Sequence, residues 1–102
     1  MIAEITVLPL GRSPPLSLVL AEILHDFHQQ GVRHQVTATC TCLEGSWEEI
    51  MSAAKRAHTI ARKQSHHVIT LLKMEDDTEA SNPLEHKNFP ASQKAGISPP
   101  IN

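Results

Sequence analysis

Ser46-Trp47-Glu48-Glu49-Ile50-Met51, with the residues that continue it to Lys63, decides the fold. Ser46 followed three positions later by Glu49 fits a capping box, in which hydroxyl and carboxylate satisfy each other's backbone donors. Trp47, Ile50, Met51, Ala54, Ala57 and Ala61 then recur at helical spacing and predict the buried stripe of a helix. Lys55, Arg56, Arg62 and Lys63 fall mostly outside that stripe, in the later half, where cations complement the helix dipole.

Working outward from this helix, the pattern changes period on both sides. His67 to Met74 holds the apolar run Val68-Ile69-Thr70-Leu71-Leu72, short enough for a central strand. Before the helix, Val32 to Ala38 alternates, with Val32, His34, Val36 and Ala38 opposed to Arg33, Gln35 and Thr37. Thr39 to Glu44 is rich in Thr and Cys. The two segments predict a hairpin turning near Ala38–Cys40, without the Asn-Gly signal of a two-residue loop. Further out, Leu16, Val19, Leu20, Ile23, Leu24 and Phe27 form the stripe of a first helix. Ser13-Pro14-Pro15 predicts its start, with Ser13 as cap, and Gly31 its end. Ile2 to Leu8 reads as a strand stopped by Pro9 and Gly11, with Ile5 and Val7 on one face and Glu4, Thr6 and Leu8 on the other.

Strand, helix, strand, strand, helix, strand is the order of a ferredoxin-like α+β fold, βαββαβ, with two helices on one face of a four-stranded antiparallel sheet. The other face then has no cover for its Thr and Leu side chains, which predicts that two chains meet there. The domain is expected over residues 1–75, where seven cations balance seven anions. Residues 76–102 carry four of the seven prolines, the net charge of −2 and no periodicity, and are expected to be a polar, Pro-containing C-terminal tail.

Composition excludes several classes. Aromatic residues are 3% of the 102, with one Trp, two Phe and no Tyr, too few for the stacking platforms of base readers. Lys and Arg total nine and are scattered, so no basic patch exists to follow a phosphate backbone, and no nucleic-acid partner is expected. No apolar run approaches the length of a membrane span. Met1-Ile2-Ala3-Glu4 lacks the cationic start and apolar stretch of a signal peptide, so a cytoplasmic protein is expected.

Taken in order, Ile5-Thr6-Val7-Leu8-Pro9-Leu10-Gly11, Gly31-Val32-Arg33-His34-Gln35-Val36, Thr41-Cys42-Leu43-Glu44-Gly45 and Trp47-Glu48-Glu49-Ile50-Met51 resemble the small thiamine-binding family, formerly the uncharacterised UPF0045/DUF77-like proteins. Ala57-His58 and Val68-Ile69 fall where that family has them. The resemblance covers roughly residues 2–75. It implies a ferredoxin-like fold assembled through its sheets into homodimers or homotetramers. It also implies binding of thiamine or its hydroxymethylpyrimidine moiety, with no established catalysis. Members usually continue into a last short helix packed on a neighbouring subunit; here Asn82-Pro83 and the Pro-containing tail depart from that pattern.

The resemblance puts the Thr41–Gly45 strand and the Pro9–Gly11 loop near the ligand. Thr37, Thr39 and Thr41, with Ser13 and Ser17, are a candidate polar site, since hydroxyls both donate and accept along an aminopyrimidine edge. Glu44 is a candidate partner for a thiazolium or an exocyclic amine. The expected ligand-binding residues are Thr39, Thr41, Glu44, Leu10, Gly11 and Ser17. The bland alternative is that Thr favours strands and Ser caps helices. No metal site and no cofactor other than thiamine as a ligand are expected. His25 and His28, three apart on one helix, and the His66-His67 pair lack a third ligand fixed by spacing. Cys40 and Cys42 lie on one strand face as small buried residues, without the second pair that a metal would want. His58 is expected to pack at the helix–sheet boundary. No nucleophile–base pair is visible, and Leu10-Gly11-Arg12 lacks the glycine run of a phosphate loop, so no catalytic residue and no enzyme are expected. The competing reading is a non-catalytic, homo-oligomeric interaction module without such a ligand.

Overall fold

The computed structural model describes residues 1–11 and 14–79. Its elements run β1 (Ile2–Leu10), α1 (Leu16–Gln29), β2 (Arg33–Val36), β3 (Thr41–Glu44), α2 (Trp47–Gln64) and β4 (His67–Glu75). The strands form one antiparallel sheet in the order β2-β3-β1-β4, with both helices on one face. The fold is the ferredoxin-like α+β arrangement.

The core follows the alternation read from the sequence. Ala3 and Ile5 of β1 and Leu43 of β3 face Val19, Ile23 and Phe27 of α1 and Ile50, Ala53, Ala57 and Ala61 of α2. The alanines let α2 lie close to the sheet. Arg56 Nε reaches Asp26 at 2.8 Å and ties the two helices together outside the core. Ser46 caps α2 as expected, accepting from the Glu49 amide at 3.1 Å while the Glu49 carboxylate accepts from the Ser46 amide at 2.7 Å. Gly31, at φ 70°, follows the last turn of α1. His58 Nδ1 lies 2.7 Å from the Thr70 hydroxyl, bridging α2 to β4.

Several expectations are corrected. The run Val68–Leu72 is not a central strand: β4 is a sheet edge, and Ile69 is 41% exposed. Edge placement arises because β1, the first strand in sequence, takes the place between β3 and β4. Trp47 and Met51 are exposed rather than buried. At about 100° per residue, Met51 lies a quarter-turn from Ile50, and the buried arc is completed by Ala53 instead. Leu16, in the first turn of α1, is also exposed. The N-cap position of α1 is Pro15, with no side-chain cap, so the helix starts later than a Ser13 cap requires; Ser13 itself lies outside the described residues. β1 runs on through Pro9 to Leu10. Beyond Ile5 it has β4 as a neighbour but no longer β3, and a residue lacking an N–H is tolerated where a ladder is one-sided. β2 and β3 are shorter than expected, leaving Thr37–Cys40 as a four-residue connection that removes Cys40 from the strand. Of the tail, residues 80–102 lie outside the described residues.

Candidate functional site

The early end of β3 shapes the site. β3 pairs with β1 only as far as Ile5↔Thr41, whereas β1 continues along β4 to Leu10. Where β3 is missing, the far half of β1, the first turns of α1 and the hairpin tip enclose a cavity of about 200 Å³. Ile5, Val7, Leu16, Leu20 and Ile23 supply apolar walls, and Thr37, Thr39 and Thr41 supply hydroxyls from the hairpin side. No charged side chain lines it among the described residues.

The three threonines play different parts. The Thr37 hydroxyl accepts from the Thr39 and Cys40 amides at 3.3 and 3.2 Å and lies 3.0 Å from the Cys40 carbonyl, to which it can donate. The Thr37 amide donates to that carbonyl at 2.8 Å. This closes the connection into a rigid tip through one side chain. The Thr39 carbonyl accepts from the Thr6 hydroxyl at 3.3 Å, tying the tip to β1. Thr41 is buried, 4% exposed, and among the described residues no side-chain hydrogen bond uses its hydroxyl.

The other expected site residues lie elsewhere. Glu44, at the opposite end of β3, has Oε1 3.0 Å from Arg33 Nη1. It lines a separate open groove of about 610 Å³ with Gly31, Glu48, Glu49 and Arg56. Leu10 and Gly11 end β1 beside the α2–β4 corner. The Leu10 carbonyl accepts from the Ser65 hydroxyl at 2.6 Å, and a Cβ at Gly11, where φ is 72°, would come within 2.7 Å of the His66 ring. Ser17 is exposed in the first turn of α1. The structure thus brings Thr37, Thr39 and Thr41 together and leaves Glu44, Leu10, Gly11 and Ser17 outside the cavity. The cavity's apolar walls, read in the sequence only as core, were not anticipated as part of a site.

A second cluster adjoins the cavity through Cys40, which also lines it, and extends onto the sheet face opposite the helices. Cys42 is buried and Cys40 half-buried, both with free thiols, and their sulfurs lie near the Glu4 carboxylate across the sheet. A hydrogen bond from the Cys42 thiol lowers the Cys40 pKa to about 6; burial and the Glu4 charge oppose this, and the Thr37 and Thr39 hydroxyls assist it. The same pairing, with burial, pushes the Cys42 thiol up. His25 and His28 are exposed on α1.

A small βαββαβ domain with an uncharged cavity beside its first helix is equipped to hold a small, largely neutral molecule. Comparison with known proteins agrees. The family profile described as thiamine-binding protein matches residues 3–89, and the chain belongs to that family. The match runs past Glu75, where the sequence reading had the resemblance end. The UPF0045 protein MJ1052 of Methanocaldococcus jannaschii is 28% identical over 87 residues, 85% of this chain and 87% of that protein. Its crystal structure superposes with a TM-score of 0.76, covering 84% of this chain and 89% of that one. The UPF0045 protein YqgV of Bacillus subtilis is 27% identical over 92 residues, covering 84% of this chain and 88% of its own. A Thermotoga maritima protein provisionally assigned to thiamine biosynthesis or salvage shares the fold at a TM-score of 0.69 and 19% identity, covering 83% of this chain and 92% of its own. No described helix is long and apolar enough to cross a membrane.

Proposed function

We propose that the chain binds the hydroxymethylpyrimidine ring, free or as part of thiamine, in the cavity beside α1, and that it does so without turning the ligand over. The observation that carries this reading is Thr41: a buried residue whose hydroxyl has no side-chain partner among the described residues, lining an apolar-walled cavity. A hydroxyl in that position is stabilised by a ligand with donor and acceptor atoms on one edge. The volume of about 200 Å³ lies below the ~300 Å³ at which drug-sized sites begin, which suits one ring enclosed and the remainder outside. The uncharged lining favours the neutral pyrimidine over the thiazolium cation as the enclosed part. The family description and the Thermotoga assignment to thiamine metabolism point the same way. Catalysis is not part of the reading: the Cys40 thiol is among the cavity's lining residues, but no histidine or carboxylate that could act as its base is among the described ones. Two free thiols suit a reducing, cytoplasmic setting.

Thermal unfolding with hydroxymethylpyrimidine and with thiamine tests the proposal. A midpoint that climbs with the logarithm of pyrimidine concentration is expected. No shift with either compound up to millimolar concentration overturns it.

Association is a second reading with its own observation. Ile69 and Leu71 of β4 are 41% and 56% exposed on the sheet face without helices, in register with Leu8 and Thr6 of β1. A second copy of the chain placed sheet to sheet would cover this apolar patch, giving a homodimer or, through further contacts, a homotetramer. Such an assembly without any thiamine-type ligand is the scaffold alternative, and the same unfolding experiment separates the two.

A further inference from the structure

We propose that Glu4, Cys40 and Cys42 form a site for one zinc ion on the β1–β3 half of the sheet face that carries no helix. The carboxylate oxygen and the two sulfurs all lie within 4.8 Å of one another. Ligand atoms around a tetrahedral zinc, with Zn–S near 2.3 Å, are spaced by about 3.8 Å. Closing the observed cluster onto an ion therefore takes a shift of about an ångström, within the reach of side-chain rotation.

The backbone already holds the three residues in place. Glu4 and Cys42 are direct partners in the β1–β3 ladder, so their side chains leave the sheet on the same face, opposite the helices. Cys42 is further fixed by its pairing with Gln35 of β2. Cys40 is held by Thr37, whose amide and hydroxyl lie on its carbonyl and whose Oγ1 is 3.4 Å from its sulfur. A site whose ligands are fixed before the ion arrives loses little freedom on binding.

The chemistry of the donor set selects the ion. Two thiolates and one carboxylate suit a borderline-soft cation such as Zn²⁺, whereas Mg²⁺ and Ca²⁺ take oxygen ligands. Three protein ligands leave a fourth position open on the exposed side of Glu4, available to water or another donor. A divalent ion also removes the repulsion between a carboxylate and sulfurs that ionise beside it.

The test titrates the reduced full-length chain with Zn²⁺ against a chromophoric chelator, and with Cd²⁺ to read thiolate-to-metal charge transfer. One ion per chain is expected, with a charge-transfer band for two thiolates. Cys40→Ser and Cys42→Ser should each weaken binding by more than an order of magnitude, and Glu4→Gln should weaken it while both thiolates still report. Cys40 is in a loop, so its variant keeps the fold informative if Cys42→Ser does not fold. A double variant of the exposed histidines, His25→Ala with His28→Ala, should bind as the wild type does. Absence of stoichiometric binding overturns the site, as does zinc affinity that survives Cys40→Ser or is lost with the histidines. Because no readout involves the pyrimidine, the outcome is independent of the proposed function.

Discussion

Thr41→Val separates the ligand reading from a structural one, because the two move different quantities. In the free protein the Thr41 hydroxyl makes no side-chain hydrogen bond among the described residues and faces the cavity, so the fold does not depend on it. Valine has nearly the same shape, is at least as well suited to a strand, and breaks no hydrogen bond of the free protein. The unliganded variant should therefore unfold within about 0.5 kcal/mol of the wild type or above it. With ligand the variant falls behind the wild type. One lost hydrogen bond, leaving a ligand atom unsatisfied, is worth about 1.5 kcal/mol, or roughly tenfold in Kd. At a ligand concentration ~100 times the wild-type Kd, stabilisation is about 2.7 kcal/mol; for the variant, now at ~10 times its own Kd, it is about 1.4. The ligand-induced shift in melting temperature should fall to about half, and calorimetry should return the weaker Kd directly. An unchanged Kd would remove Thr41 from the site. A loss of more than about 1 kcal/mol without ligand would show that the hydroxyl serves the fold instead.

Three further outcomes follow from particular contacts. Ser46→Ala breaks the capping box of α2 and should cost about 1 kcal/mol in denaturant unfolding, with ligand affinity unchanged. Cys40 should alkylate with iodoacetamide as a thiolate at neutral pH. Since its pKa is lowered to about 6, the rate should fall as pH drops through about 6 rather than through the usual ~8.5, while Cys42 stays unreactive at neutral pH. Ile69→Asp should stay folded by circular dichroism, since the position is a half-exposed sheet edge; if the proposed sheet-to-sheet association holds, sedimentation should shift from dimer to monomer, and a variant of the same mass as the wild type would refute an interface at this face.

The fold was legible because its signals are local. The capping box, the stripe from Ile50 to Ala61 and the positive-φ Gly31 each depend on residues within a turn or two, and each is present in the structure. What was misread depends on which strand lies beside which. An apolar run such as Val68–Leu72 looks the same at an edge as in the middle of a sheet, because its outer residues can be covered by another chain as well as by its own. Trp47 and Met51 were misplaced for a related reason. Hydrophobicity marks a wide arc, and the narrow buried part of α2 is taken by alanines, whose small size rather than hydropathy brings the helix onto the sheet.

The candidate sites were legible only in part, and the missing information is again register. Thr37, Thr39 and Thr41 are close in sequence, so their convergence could be read; the space they face could not. It exists because β3 stops at Thr41 while β1 continues for five more residues, Ile5 being the last shared position and Leu10 the end. Glu44 looked equivalent to Thr41 on the same short strand. It lies three residues along and on the other sheet face, so alternation sends it towards Arg33 and a different groove. The same rule explains Glu4. Alternation assigned it to the uncovered face, where a lone acid needs no explanation. Only the pairing Glu4↔Cys42 sets it beside two sulfurs 36 and 38 positions later in the chain. A cysteine pair two residues apart lacks a third ligand in its own segment. In an antiparallel sheet that ligand can come from the neighbouring strand, at the residue directly opposite.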